Sequence, residues 1–573
     1  MQNTEIAKVF YQIANILDIK GDSFFKINAY RKGAQIVEAL SRELSDVYKE
    51  NDSKLEKISG IGEGLEKKIL EMIETGECDE LNKLKKGFPE GLFDILNLRG
   101  VGPKKVKLFY EQLGITDLNM LEIAAKSGAL RGLERMGEKS EMEIISAIND
   151  SKEFNNKRFL IDHAMKEALE YINYLKNLKI IEKIQYAGSL RRFKETIGDI
   201  DILVTLKDSK KNFSEVIDYY TSYPKIYNIL SKGDTKSSVI LISGIQVDLR
   251  VVEDDSFGAA LQYFTGDKNH NIRIREIAKS MGLKVSEYGV FDGETKIASK
   301  SEEDVYKILG LPYIYPELRK NNGEFEYIEK HGCIPSLVEE NNLKGDLHIH
   351  SKYSDGHMEI EEIVKLYFDN GFKYIAIADH YHNLNLKDFE KQFKEIDDLN
   401  KKYEGKFYIF KSSEVDINID GELDIDLNIA SKFDFLIASC HGVQGELSKK
   451  QQTDRILRAL SNKNVKILAH PTGRIINKRP EFDMDLEKII KECVKNNVIL
   501  EINSSPHRLD LNDKNIKLAK SLGAKFSINS DLHKLIDFEN FKFGVGQSRR
   551  GWLNKDDVVN CLSVQKIKSL IKA

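Results

Sequence analysis

After residue 343 the chain alternates short apolar runs with polar stretches long enough for helices. In order, the runs are DLHIHS, YIAIADH, FYIFKSSEV, DFLIASCH, VKILAHP, VILEINSS and KFSINSDLH. This alternation predicts parallel strands joined by helices. Most runs reach a side chain that can ligate a metal: His348 and His350, His380, Glu414, His441, His470, and finally Asp531 with His533. Side chains at the C-terminal ends of such strands converge on one face of a β/α barrel. Nine of the twelve histidines lie in this part of the chain. Imidazoles and carboxylates gathered on one rim predict a multinuclear metal site.

The pattern differs upstream. Residues 1–150 read as almost wholly helical, punctuated by two Gly-rich segments. A helix near 158–177 then leads into apolar strands around IQYAGS, DIDILVTL, SSVILIS and IQVDLRVV. That order predicts an α+β unit with a largely antiparallel sheet. Residues 251–316 read as a smaller mixed unit. Residues 317–342 are polar, carry Asn, Gly and Pro, and read as a linker. The expected fold class is multidomain: a helical N-terminal region, an α+β part, and a C-terminal distorted β/α barrel over 343–573.

Composition adds exclusions. With 41% hydrophobic and 31% charged residues, the chain reads as an ordinary soluble protein of several domains. No apolar run approaches a membrane span, and the N-terminus lacks a signal-peptide pattern. The five cysteines are scattered without a CxxC, which fits reduced thiols and a cytoplasmic location. A net charge of −4 neither supports nor excludes a nucleic-acid partner.

Two further patterns carry chemistry. ISGIGEG (58–64) and LRGVGPK (98–104) share an apolar-x-Gly-apolar-Gly arrangement, with Gly60 and Gly62 in one and Gly100 and Gly102 in the other. Paired glycines let the backbone turn tightly against a phosphate, and the next helix start offers free N–H groups. A plain helix connection would use the same residues. GLERMGEKS (132–140) is a degraded third candidate. Asp199 and Asp201 stand at i and i+2 on a strand and face the same way, with Asp248 on another strand. Three such acids suit Mg²⁺, and two ions about 3.5–4 Å apart can activate a hydroxyl and neutralise a leaving phosphate. The alternative is a solvated strand edge. Upstream, GSLRR (188–192) offers a Gly-Ser turn for a triphosphate and forked arginine donors.

Gly188, Ser189, Arg191 and Arg192, followed by Asp199, Asp201, Asp248 and Arg250, resemble the nucleotidyltransferase palm of family X DNA polymerases. YFTGDKNHNIRIR (263–275) and SEYGVF (286–291) resemble that family's thumb. INAYRKGA (27–34) and the two glycine segments resemble its N-terminal part, the latter as helix-hairpin-helix motifs that grip the DNA backbone. His348, His350, Asp355, His380, Glu414, His441, His470, Asp531 and His533 match the pattern of a PHP (polymerase and histidinol phosphatase) domain. The resemblance implies a helical DNA-binding domain at 1–87, fingers at 88–154, palm at 155–252, thumb at 253–316, a linker at 317–342 and a PHP domain at 343–573.

It also implies roles. Asp199 and Asp201 would bind two Mg²⁺ ions, and Asp248 would bind the catalytic one and help the primer 3′-hydroxyl attack. Gly188, Ser189 and Arg192 would hold the triphosphate, and Tyr263, Phe264 and Gly266 would line the sugar pocket. Asn271 would contact the incoming base and Arg275 the template. Lys68, beside Lys67, would be the Schiff-base nucleophile of an abasic-site lyase; its other reading is a solvated lysine or a phosphate contact. The PHP positions would hold Mn²⁺ or Zn²⁺, up to about three ions. His357 and His382 would face solvent or substrate, Arg474 could hold a scissile phosphate, and Cys440 reads as a buried strand residue. Two positions depart from the family: Phe193 stands where many members have glycine, and Asp267 where serine is frequent.

The implied function is a DNA polymerase that fills short gaps in repair, with a metal-dependent 3′–5′ exonuclease and an extension to abasic-site endonuclease activity. Its partners would be gapped or 3′-recessed duplex DNA and dNTPs, with no membrane, and the chain would be a monomer. The competing readings are a polymerase with a purely structural PHP domain, a non-catalytic DNA-end scaffold, and a phosphatase of small phosphomonoesters.

Overall fold

The computed structural model describes the chain except residues 2, 41–43, 51–57, 59, 97, 99, 135, 155–157, 208–212, 442–446 and 573. It divides into two compact units, Met1–Lys157 and Arg158–Ala573. The first unit is helical, with no strand among the described residues. Its apolar cluster runs from Ile6 to Ile148, so one core serves both glycine segments. Helix α1 (Glu63–Thr75) follows the first segment and helix α2 (Pro103–Leu113) the second.

The second unit opens with a five-stranded sheet. Its strands are β1 (Ile181–Tyr186), β2 (Asp199–Leu206), β3 (Ile226–Lys232), β4 (Lys236–Leu241) and β5 (Gln246–Val251). The order is β1-β2-β5-β4-β3. Every pairing is antiparallel except β2 with β5, which run parallel at the centre. That parallel pair sets Asp201 directly opposite Asp248. The four-residue turn of helix α3 (Gly188–Arg191) connects β1 toward β2. Helices α4 (Phe257–Thr265) and α5 (Lys268–Ser280) follow, then a three-stranded antiparallel sheet and helix α6 (Glu302–Ile308).

Residues 317–342 are folded rather than a linker. Helix α7 (Glu324–His331) lies within them, and Leu318, Phe325, Ile328 and Leu337 join the apolar cluster around α5 and α6. The segment looks polar because its charged groups are paired internally. Arg319 is fully buried against Glu302, and buried Glu324 accepts from His270 Nδ1 at 2.9 Å. Burial of a charge requires such pairing.

Seven parallel strands complete the unit: β6 (Gly345–Ile349), β7 (Tyr374–Ile377), β8 (Tyr408–Asp416), β9 (Phe435–Ser439), β10 (Val465–Leu468), β11 (Ile499–Asn503) and β12 (Phe526–Asn529). They pair in sequence order. An isolated bridge from Ile349 to Leu532 nearly closes the barrel. Helices lie between successive strands, and helix α8 (Phe541–Arg550) follows the last. No helix among the described residues is long and apolar enough to cross a membrane.

Candidate metal centres and nucleic-acid interface

In the first unit both glycine segments have the same construction. Gly60 (φ 86) and Gly100 (φ 72) hold left-handed backbone. Gly62 and Gly102 then cap α1 and α2. A Cβ on Gly62 or Gly102 would meet nothing within 4 Å, so each helix start is open to an approaching group. The third candidate includes residue 135, which lies outside the described residues. Lys68 lies on α1 with its Nζ 3.8 Å from Glu80.

In the second unit, Asp199 and Asp201 project from β2 and Asp248 from β5. Burial first, then the charges of Asp199 and Asp248, push the Asp201 carboxyl up to about 7. Carboxylates crowded this way call for cations, so the three acids fit Mg²⁺. Asp248 Oδ1 accepts from Gln246 Nε2 at 2.6 Å. Gly188, at φ 61, sits so close to Asp201 that a Cβ there would lie 2.3 Å from Oδ2. Only glycine lets the turn bearing Ser189 rest on the acids. Arg192 Nη1 donates to the Thr265 carbonyl at 2.6 Å. Arg191 instead makes a forked pair with Glu302, at 2.8 and 2.6 Å.

The residues expected around the nucleotide gather at the α4–α5 junction. Tyr263 and Phe264 stand edge to face, and the Arg250 guanidinium covers the Phe264 ring at 4.4 Å. Asn271 Nδ2 donates to the carbonyls of Tyr263 and Gly266, at 2.6 and 3.1 Å. A Cβ on Gly266 would lie 2.5 Å from Asn271 Oδ1. Arg275 is exposed one helical turn further on. Asp267 is the N-cap of α5, accepting from His270 N at 2.9 Å. Serine and aspartate are both strong N-caps, which accounts for this departure.

The barrel brings its nine expected residues together at the C-terminal ends of the strands. Three overlapping groups could hold ions: His350, Asp355, His380 and His533; His348, His350 and Glu414; and His380, Glu414 and His441. Glu414 is their buried hub. Its Oε2 lies 3.2 Å from His348, 3.4 Å from His350 and 3.2 Å from His380. Its Oε1 lies 3.0 Å from His470 and 3.2 Å from His441. Asp531 Oδ1 lies 3.3 Å from His350 Nε2. The ring nitrogens Nδ1 of His350 and His470 are buried without a hydrogen-bond partner. Mixed imidazole and carboxylate donors of this kind fit Zn²⁺ or Mn²⁺.

Other residues orient these donors, and the strand-end pattern did not reveal them. Glu501 accepts from His348 Nδ1 at 2.8 Å and from the His470 backbone N–H at 2.8 Å. Asp416 pairs with His441 Nδ1 at 2.8 Å. Asp379 accepts from Ser351 Oγ at 2.6 Å, fixing the loop after β6. Such partners set the tautomer and direction of a ligand. The signal for Glu501 was a lone acid inside an apolar run, VILEINSS. His357 and His382 are exposed, and Cys440 is buried. Arg474 does not face the cluster. It bonds Glu195 at 2.7 Å and the carbonyls of Arg508 and Leu509. Arg508, unremarked in the sequence, has a buried Nη1 without a partner, and its charge opposes protonation of His441 and His470.

Family models match four segments: a helix-hairpin-helix domain at 1–78, a SAM-like helix-hairpin-helix tandem at 93–150, a DNA polymerase beta thumb at 260–320 and a PHP domain at 346–505. The chain is 36% identical over 582 residues to the DNA polymerase/3′-5′ exonuclease PolX of Bacillus subtilis (strain 168), covering 100% of both chains. It is 25% identical over 353 residues to DNA polymerase lambda of Rattus norvegicus, covering 55% of this chain and 56% of that one. It is 29% identical over 238 residues to a probable phosphatase of Thermoanaerobacter sp. (strain X514), covering 40% of this chain and 94% of that one.

Proposed function

The chain belongs to the family X DNA polymerases with helix-hairpin-helix and PHP domains, the family of bacterial PolX, and we propose that it fills short gaps in DNA and trims 3′ ends at two separate sites. The observation that carries this reading is two distinct donor sets in one chain: three acids on β2 and β5, and nine candidate ligands on the barrel rim, seven of them in groups tight enough to hold an ion.

In the palm, Asp199, Asp201 and Asp248 would hold two Mg²⁺ ions. When bound, these would lower the barrier to attack by the primer 3′-hydroxyl and neutralise the departing pyrophosphate. The protein's own part is positioning. The Gly188–Ser189 turn and Arg192 hold the triphosphate over the acids. Phe264, backed by Arg250, supports the sugar, and Asn271 fixes the α4–α5 junction against which the base rests. Arg191 acts through Glu302 and not on phosphate. The open ends of α1 and α2 take the DNA backbone on either side of a gap. Lys68, whose Nζ lies 3.8 Å from Glu80, would be the Schiff-base nucleophile for abasic-site lyase chemistry.

On the barrel rim, the nine ligands would hold Mn²⁺ or Zn²⁺, which when bound would supply an activated water for phosphodiester hydrolysis. Glu501 and Asp416 orient His348 and His441. Arg508, which has a guanidinium nitrogen without a hydrogen bond and whose charge is felt at His441 and His470, would hold the scissile phosphate. Hydrolysis at abasic sites would use the same centre. The chain would work as a cytoplasmic monomer on gapped or 3′-recessed duplex and dNTPs.

One assay tests the whole reading: a labelled, gapped, 3′-recessed duplex with Mn²⁺, with and without the four dNTPs. Extension with dNTPs and shortening without them are expected. Extension alone would leave the barrel as a scaffold. Shortening alone would remove the palm assignment.

A further inference from the structure

Phe193 is the residue that most resists a local explanation. It directly follows the turn read above as the triphosphate grip and holds φ 52, the left-handed region. Its N–H bonds the Leu190 carbonyl at 3.1 Å, and Lys194 N bonds the Ser189 carbonyl at 3.0 Å. Phe193 therefore occupies the position that closes a helix, where glycine is the usual residue. A phenylalanine persists there only if its surroundings hold it.

Those surroundings belong to the barrel. The Phe193 ring lies on Gly546, in the middle of α8. A Cβ on Gly546 would come within 2.3 Å of the ring's Cδ1 and 2.5 Å of its Cγ. Four residues on, Arg550 Nη1 donates to the Arg192 carbonyl at 2.9 Å, while its Nη2 bonds Asp513 at 2.7 Å. Arg474 bonds Glu195 just beyond the turn. Ile476, Leu509 and Phe543 of the barrel join the apolar cluster of the palm. On the opposite side, the turn meets the palm's own α4 through Arg192 and Thr265.

We propose that Phe193 is a positioning residue for the incoming nucleotide: seated on Gly546, it holds the Gly188–Arg192 turn in place, so the barrel sets the nucleotide affinity of the polymerase. This rests on the palm reading above. It assigns the barrel a part in synthesis that is separate from its own metal centre.

The test is single-nucleotide incorporation by the full chain on a one-nucleotide gap, with dNTP varied. Gly546→Ala should raise the nucleotide KM by about tenfold and change kcat by less than about threefold, because a displaced turn weakens ground state and transition state alike. Phe193→Gly, which loses the seat but fits the backbone, should raise KM by about fivefold. In the double variant the alanine meets no ring, so KM should match that of Phe193→Gly alone. The 3′-trimming rate of the Phe193→Gly chain should stay within about twofold, which separates this effect from misfolding. If Gly546→Ala also lost trimming, Phe193→Gly would decide alone. Unchanged KM in Phe193→Gly, or effects that multiply in the double variant, would overturn the proposal. A wild-type chain that incorporates nothing would fail the polymerase reading itself, and the seat with it.

Discussion

The palm and the barrel rim both gather carboxylates, but they treat charge in opposite ways. In the palm, three acids face one another across a parallel strand pair, and burial, then the charges of Asp199 and Asp248, push Asp201 up to about 7. In the barrel, the central acids of the cluster are matched to imidazoles: Glu414 to five of them, Asp531 to His348, His350 and His533. The barrel donors form a matched set of imidazoles and carboxylates. The palm set is an acid cluster whose mutual repulsion cations would relieve, and on the function proposed here a triphosphate would bring them as Mg²⁺. On the function proposed here, the barrel would retain its metal and the palm would receive its ions with substrate.

Removing one metal-binding candidate from each site should separate them most sharply. Asp201→Asn should lower gap filling by at least about a thousandfold and leave 3′ trimming intact, since the ions' stabilisation of transition-state charge is worth several kcal/mol. His350→Ala should do the reverse. Loss of both activities in either variant, measured on one labelled duplex, would break the two-site picture. Next in size is Glu501→Gln, which weakens the acceptor that orients His348 Nδ1. It should weaken Mn²⁺ or Zn²⁺ retention by about 10–100-fold, read by metal analysis after dialysis, without affecting synthesis.

The charged core beside the palm should show itself in stability and not in activity. Burial alone would raise the Glu302 carboxyl, but Arg191 and Arg319 outweigh it and hold it down at about 2 against an ordinary 4.5. Its contribution, about 3 kcal/mol, is present above the ordinary range and is lost as pH falls from about 4.5 toward about 2. Thermal unfolding of Glu302→Gln should therefore show a large deficit at pH 7 that narrows in acid. A deficit that stayed constant with pH would mean that shape, not charge, is at work. The smallest effect should come from Asp267: Asp267→Ser keeps the cap and should be near neutral, while Asp267→Ala should cost about 1 kcal/mol in the same melts.

Much of both sites was legible because each rests on local periodicity. Strand ends announced His348, His380, Glu414, His441 and His470, and an i, i+2 pair announced Asp199 and Asp201. Contacts between distant segments were not legible. Glu501 reads as one odd acid in an apolar run, because only the pairing of strands shows that it reaches His348. Arg474 follows a ligand in sequence, yet its side chain runs the other way, to Glu195. The pairing of Arg319 with Glu302 joins residues that composition reads as two separate regions.

That last pairing bears on how the protein can be cut. A fragment ending near residue 316, where composition suggests a clean boundary, would strip Arg319 from Glu302 and Glu324 from His270. It would strip Leu318, Phe325, Ile328 and Leu337 from the apolar cluster around α5 and α6 and leave Phe193 without its seat. An inactive fragment of that kind would say nothing about whether hydrolysis assists synthesis. Point changes within the intact chain are the informative dissection, and proteases should find the 317–342 stretch no easier to nick than the helices on either side.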